Sequence, residues 1–325
     1  MRIAFCGKGG SGKSTVSSLM AKYLASLNKD VLVVDGDINQ HLGEAVGFSE
    51  SELKAQPKLG MDYHPLAEFA KGNNPRIPDA SYISESCPAG RGSGFIHFNQ
   101  PSPVFDHYQI EKSGIRFMAI GGHDDSDVGT TCYHKFTGFF GVFLNHLIDG
   151  KNEYLIGDMC AGADPFASSG LASRFDAIFL IVEPTIKSLS VYKQCREYAD
   201  MFGTKLYVVG NKVENESDEK FIREKVGNDL IACLSKSDFV RDFEKGVARP
   251  MSELEPDNKE TLNTILQKTD VLTRDWKKYQ EVGLKFHKAA AEGWGNVLYG
   301  IDMMDFVDPE FFYEEIIETN NKKAA

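Results

Sequence analysis

No apolar run in this chain of 325 residues is long enough to cross a bilayer, and no apolar stretch precedes its first strand-like segment. A membrane span needs about 20 consecutive apolar residues, and a secretory leader needs an apolar core near the amino end, so neither is expected. Cysteine is sparse: six residues, without the regular spacing of a disulfide framework. Together these absences point to a reducing cytoplasm. Basic runs are missing too, since 36 Lys and Arg face 47 Asp and Glu for a net charge of −11. Loose binding to nucleic acid works by neutralising phosphates with Lys and Arg, and an amphipathic helix on anionic lipid needs cations over an apolar face. The tail 302–318 (DMMDFVDPEFFYEEIIE) is instead acidic, with paired lysines only at Lys322 and Lys323. Neither nucleic acid nor membrane is therefore expected among the partners. Repeats and low-complexity tracts are also absent, and 42% hydrophobic residues suffice for one large core, or a core with a smaller appendage.

Of what is present, the stretch Gly7 to Thr15, GKGGSGKST, is the most informative, because it fits G-x-x-x-x-G-K-[ST]. Such a loop cradles nucleotide phosphates when it follows a buried strand and opens a helix. Here RIAFC (2–6) precedes it, and apolar residues at helical spacing follow over 14–27. From Gly7 onward each part has a physical task. Gly9, Gly10 and Gly12 let the main chain approach oxygen atoms closely, the loop amides, Ser11 among them, and the helix N-terminus offer positive partial charge, and Lys13 adds a point charge at the β and γ phosphates. Ser14 is expected to hold Mg²⁺, with Thr15 beside it. Lys8 is surplus to that scheme.

Three more apolar runs end in polar residues. VLVV (31–34) leads into Asp35-Gly36-Asp37, YLIG (154–157) into Asp158-Met159-Cys160-Ala161-Gly162, and LYVVG (206–210) into Asn211-Lys212. Continuous apolar runs of this length suit parallel strands covered on both faces. A carboxylate at such a strand end can take a water of a Mg²⁺ shell, a glycine after it can give an amide to a γ phosphate, and an asparagine amide donates and accepts at once, as a base edge requires. For Asp35 and Asp37 a solvated turn is the competing reading.

A lysine directly after the first glycine is the deviant P-loop signature of the MinD, ParA, nitrogenase iron protein and carbon monoxide dehydrogenase maturation ATPase superfamily, and GKGGSGKST resembles it at every position. The resemblance implies an enzyme that binds ATP with Mg²⁺, hydrolyses it to ADP and dimerises around two nucleotides. Lys8 then reaches across to the partner's phosphates, and Lys8, Lys13 and Asp37 are the catalytic set, Asp37 orienting or deprotonating the attacking water. Asp35 sits near the metal; with Ser14 and Asp158 it completes the Mg²⁺ set. Gly162 meets the γ phosphate, and Asn211 with Lys212 reads adenine. The segment LSKSDFVRDFEKGVARP resembles the stretch that packs over the base, so that Leu234, Ser235 and Asp238 border it.

The fold implied is α/β: a Rossmann-like P-loop NTPase with a mostly parallel, doubly covered sheet. Strands are expected near 2–6, 30–35, 115–120, 153–158, 177–182, 205–210 and 229–234, and helices notably over 136–147 and 187–202. An ATPase domain would span 1–250, interrupted by an insertion at 51–114 that is rich in Gly, Pro, Ser and Asn and expected to be largely irregular, with one or two short helices. A helical extension, 251–325, would follow, with helices over 259–268 and 271–292.

The stretch 120–135, IGGHDDSDVGTTCYHK, resembles the carbon monoxide dehydrogenase maturation ATPases, in which G-x-G-C-x-C opens a helix and the cysteines of two subunits bind nickel or zinc. Cys132 matches the first ligand, but His134 stands at the second. Two thiolates and two imidazoles from two subunits suit tetrahedral Zn²⁺ and accept Ni²⁺; a half-buried thiol beside a surface histidine is the alternative. His123, Asp124, Asp125 and Asp127 read either as weaker ligands or as a solvated acidic loop. The function expected is a Mg²⁺-dependent ATPase that delivers metal to a client metalloenzyme such as a carbon monoxide dehydrogenase. Two alternatives stay open. One is an iron-sulfur redox ATPase holding a [4Fe-4S] cluster between subunits, for which Cys160 and the CPAGRG at Cys87 are imperfect matches; the other is a positioning or partition ATPase. Cys6, Cys195 and Cys233 fall in apolar patterns and read as core.

Overall fold

The computed structural model describes residues 1–84, 86–122, 133–163, 170–247 and 249–324, and for 134, 135 and 319–324 the backbone alone. Its central sheet has eight strands in the order β10-β9-β8-β1-β7-β2-β5-β4. In chain order these are β1 (Arg2–Gly7), β2 (Asp30–Gly36), β4 (Ile110–Lys112), β5 (Ile115–Ala119), β7 (Glu153–Met159), β8 (Ala177–Val182), β9 (Lys205–Val213) and β10 (Leu230–Ser235); a second sheet pairs β3 (Ile96–His97) with β6 (Leu147–Ile148). Every pairing in the large sheet is parallel except β4 on β5. All seven expected strands are present, and the mostly parallel, doubly covered sheet is as the sequence implies.

Alternation along the strands divides the core in two. Ile3, Phe5, Val31 and Val33 face one side, where Val16 and Leu19 of helix Lys13–Ser26 and Leu262 and Ile265 of helix Pro256–Asp270 cover them. Ala4, Cys6, Leu32 and Val34 face the other, beneath Phe140 and Phe143 of helix His134–His146 and Leu66 and Ala70 of helix His64–Lys71. Each fully buried Phe or Leu there stabilises the fold by about 2–3 kcal/mol relative to exposure. Seven parallel strands ending on one edge bring the turns after β1, β2 and β7 together there, the place where α/β sheets take ligands.

The 51–114 segment departs from expectation. It holds three short helices, Glu50–Ala55, His64–Lys71 and Pro103–Tyr108, plus the edge strand β4. Ile77, Ile83, Cys87, Ile96 and Phe98 lie buried in the second core half. Single apolar anchors between Gly and Pro turns carry no periodicity, so the sequence reads as irregular while every anchor is tied down. The helix expected over 187–202 is two, Ile186–Leu189 and Tyr192–Phe202. That expected over 271–292 begins only at Trp276, where the Asp275 side chain accepts the Lys278 amide as a cap, and it runs to Ala290 before a π turn.

Candidate functional site

At the carboxyl edge of the sheet a cleft of 580 Å³ is lined by the loop after β1 (Gly9, Gly10, Gly12, Lys13, Ser14, Thr15), by Asp37, by Asn211 and Lys212, and by Leu234 and Ser235. Strand lengths explain the convergence. β2 and β7 pair in register through Asp35 with Asp158, so both carboxylates leave the sheet at one level beside β1.

Ser14 Oγ donates to Asp158 Oδ2 at 2.5 Å, and Ser17 Oγ to Asp158 Oδ1 at 2.9 Å. Burial pushes the Asp158 carboxyl up to about 6, against the lowering pull of those two hydroxyls. Ser17 is a site residue the sequence reading missed, although it stands three positions after Ser14, on the same helix face. The hydroxyl and the carboxylate together form a hard oxygen donor set that fits Mg²⁺.

Lys13 Nζ lies 3.8 Å from Asp37 Oδ2. Asp37 Oδ1 accepts the backbone and side-chain amides of Asn39 at 3.0 and 2.9 Å. Asp35 is fully buried, and its two oxygens accept the backbone amides of Asp37 (3.1 Å) and Leu42 (2.9 Å). Burial raises its pKa well above the usual carboxylate range, with the Asp158 charge adding to the effect. Its bonds thus hold the turn 36–42 instead of facing the cleft. The solvated-turn reading of Asp35 and Asp37 fails, since both are buried.

The loop is held from behind by the dipeptide after β9. Asn211 Nδ2 donates to the Ser11 carbonyl at 2.8 Å; Lys212 Nζ donates to the Gly10 carbonyl at 2.9 Å and to Glu183 Oε1 at 2.5 Å. Gly12 has φ +90, and a Cβ there would stand 2.2 Å from Asn211 Nδ2, so only glycine fits. Gly162, with φ +86, donates its amide to the Gly7 carbonyl at 3.0 Å. Thr15 Oγ1 reaches Glu244 at 3.1 Å. Lys8 is outside the cleft lining; its Nζ donates to Ser190 Oγ at 3.4 Å. Asp238 is likewise not in the lining, whereas Asn258, unforeseen in the sequence, is, and it accepts the Ser235 amide at 2.9 Å.

Cys132, and with it His123, Asp124, Asp125 and Asp127, lies outside the described residues, and of His134 the backbone alone is described, as the first residue of its helix. Among the described residues no group of three or more His, Cys, Asp or Glu is arranged to hold a metal ion. Cys87 is wholly buried, and burial pushes its thiol up to about 12, away from the thiolate a cluster needs. Cys6 and Cys195 are core, as expected, and Cys233 is partly buried. No helix among the described residues is long and apolar enough to cross a membrane.

Residues 3–246 match the CobQ/CobB/MinD/ParA nucleotide binding domain. The chain is 30% identical over 235 residues to an uncharacterized ATP-binding protein of Methanocaldococcus jannaschii, covering 72% of this chain and 87% of that one. It is 25% identical over 236 residues to the carbon monoxide dehydrogenase accessory protein CooC of Rhodospirillum rubrum, covering 72% and 83%. Its fold is similar to the septum site-determining protein MinD of Pyrococcus horikoshii complexed with Mg-ADP, with a TM-score of 0.52 and 16% identity over 83% of this chain and 97% of that one. With the loop, the paired strand-end carboxylates and these matches in hand, the chain belongs to the CobQ/CobB/MinD/ParA nucleotide-binding domain family and is a P-loop ATPase of the MinD/ParA superfamily.

Proposed function

We propose that this ATPase works as a nucleotide-switched homodimer whose cycle delivers a metal ion, nickel or another, to a client metalloenzyme such as a carbon monoxide dehydrogenase. The observation that carries the dimer is Lys8, whose ammonium turns to Ser190 at the surface and does not line the cleft its own loop builds. A P-loop cation turned away from its own phosphates supports action on a second copy's. In that reading Lys8 of the partner, Lys13 and the loop amides surround the triphosphate, and Asp37 orients the attacking water. Catalysis is then positioning and charge stabilisation. Mg²⁺ would be held by Ser14 and, through water, by Asp158; when bound it neutralises phosphate charge. Asp35 is set apart from the metal ligands because both its oxygens hold backbone amides. To meet a γ phosphate the Gly162 amide must leave the Gly7 carbonyl, which gives the nucleotide a two-state element to bias. Asn211 keeps one amide hydrogen and its carbonyl for a base edge over Leu234, while Lys212 braces the loop.

The metal half of the reading is supported by the similarity to CooC and by the Cys132-x-His134 spacing. A cluster-bearing redox ATPase is less favoured, because Cys87 is sequestered in the core. Lys8→Ala is expected to abolish hydrolysis and ATP-driven dimerisation, read by turnover and by light scattering, with nucleotide binding to the monomer kept; normal turnover removes the in-trans role. Metal analysis of anaerobically purified protein with ATP is expected to find stoichiometric Zn or Ni that is lost in Cys132→Ala and in His134→Ala. Absence of metal in the parent removes the delivery role and leaves a plain switch.

A further inference from the structure

The turn that follows β2 is gripped twice by the chain that follows β5. Tyr133 Oη donates to the Gly36 carbonyl at 2.9 Å. Eleven positions earlier, a Cβ on Gly122 would come within 2.9 Å of the Ile38 carbonyl oxygen, so backbone lies directly on backbone there. Gly36 also abuts β7, where a Cβ would stand 2.9 Å from the Asp158 carbonyl oxygen. The turn therefore rests against one catalytic strand and, among the described residues of the chain after β5, takes a side-chain hydrogen bond from Tyr133. Tyr133 itself is anchored: it is half-buried, its ring centroid lies 6.0 Å from that of Phe136, and the helix His134–His146 starts at the next residue.

We propose that Tyr133 is a positioning residue for ATP hydrolysis: by holding the Gly36 carbonyl it fixes the turn that carries Asp37, so that the Asp37 carboxylate holds the attacking water in line. The proposal rests on Asp37 as the water-orienting residue. Tyr133 does not line the cleft and acts on the turn through the Gly36 peptide unit. A small displacement of an orienting carboxylate is enough to cost turnover, because a misplacement of about 1 Å at the reacting atoms lowers rate by roughly a hundredfold.

Tyr133→Phe keeps the ring and removes the donor alone. In the full chain with Mg²⁺ and ATP, kcat is expected to fall about tenfold, the effect of losing one hydrogen bond at a positioned group. The KM for ATP, the affinity for ADP and the melting temperature are expected to stay at the parent values. Asp37→Asn should lose more turnover, and adding Tyr133→Phe to it should cost nothing further. A normal kcat in Tyr133→Phe, with turnover lost in Asp37→Asn, overturns the proposal and leaves the reading of Asp37 intact. Normal turnover in Asp37→Asn overturns that reading and the proposal with it. A raised KM together with a lowered melting temperature in Tyr133→Phe assigns the hydroxyl to packing and also overturns it.

Discussion

Asn211 shows how much of a phosphate loop's shape comes from outside the loop. Its amide and the Lys212 ammonium take the carbonyls of Ser11 and Gly10, while the Ser11 amide closes the turn onto the Lys8 carbonyl at 3.0 Å. Asn211→Ala removes one of those two ties, and ATP affinity is expected to weaken roughly tenfold, the value of a part-buried hydrogen bond. Titration with a fluorescent nucleotide checks this; unchanged affinity would mean that the loop keeps its shape alone. Asp158 makes a second prediction at the same scale. With its carboxyl raised to about 6 by burial, the folded chain holds a proton between about pH 4 and 6 that the unfolded chain has released. Its contribution to stability is therefore full below about pH 4 and lost as pH rises through 6. Without Mg²⁺, Asp158→Asn is expected to melt several degrees above the parent at pH 7.5 and to lose that advantage at pH 4, as scanning calorimetry would record. The motif residues were readable because their spacing is local, whereas Ser17 and Asn258 needed facing partners from β7 and β10 to become meaningful.

Among the elements, the strands were the most legible. VLVV and AIFLIV are unbroken apolar runs, and a strand covered on both faces needs that composition. Breaks inside helical patterns were not legible: the stops at Ser190 and Val191, and the cap at Asp275, are settled by what the chain packs against. Helix His134–His146 ends on His146, which is fully buried and bonds the Gly94 carbonyl through Nδ1 at 2.8 Å, tying the helix to the 51–114 segment. Burial lowers its pKa to about 4. Stability from this imidazole is full above pH 6.5 and is lost as pH falls through 4, for about 3 kcal/mol in all. His146→Asn keeps a donor for Gly94 and cannot titrate. Urea unfolding at pH 7 and at pH 4.5 is therefore expected to show a smaller acid loss in the variant; equal losses would exclude His146 as the source.

For the molecule as a whole, the boundary near residue 250 does not separate two sets of packing contacts. Leu262 and Ile265 lie in the same core half as Ile3 and Phe5, and Tyr154 Oη bonds Asp270 at 2.6 Å. At the opposite edge from the cleft, Arg274 bridges Asp149 at 2.6 Å and Asp176 at 2.7 Å, and Arg2 bonds Asp149 at 2.8 Å. The side chains of these two arginines and two aspartates, flanking β1, β7 and β8, are all but withdrawn from solvent, so removing one leaves uncompensated charge in the interior. Arg274→Ala is expected to cost about 3–5 kcal/mol in equilibrium unfolding, and a chain cut after Pro250 is expected to show no cooperative melt. A cooperative melt of the short form would show instead that the sheet is stable without the helices that follow residue 250.

The sequence by itself determined the nucleotide chemistry and the sheet, because both depend on short contiguous patterns: a glycine loop closed by Lys13 and Ser14, and apolar runs ending in Asp37, Asp158 and Asn211. It could not determine which groups face each other across distant parts of the chain. Tertiary structure alone turned Asp35 inward onto two amides, set Asn211 behind the loop, directed Lys8 to Ser190, and brought the buried residues of 51–114 and those of helix Pro256–Asp270 into opposite halves of the core. Those outcomes follow from burial and hydrogen-bond satisfaction between residues up to 200 positions apart, which no local pattern encodes.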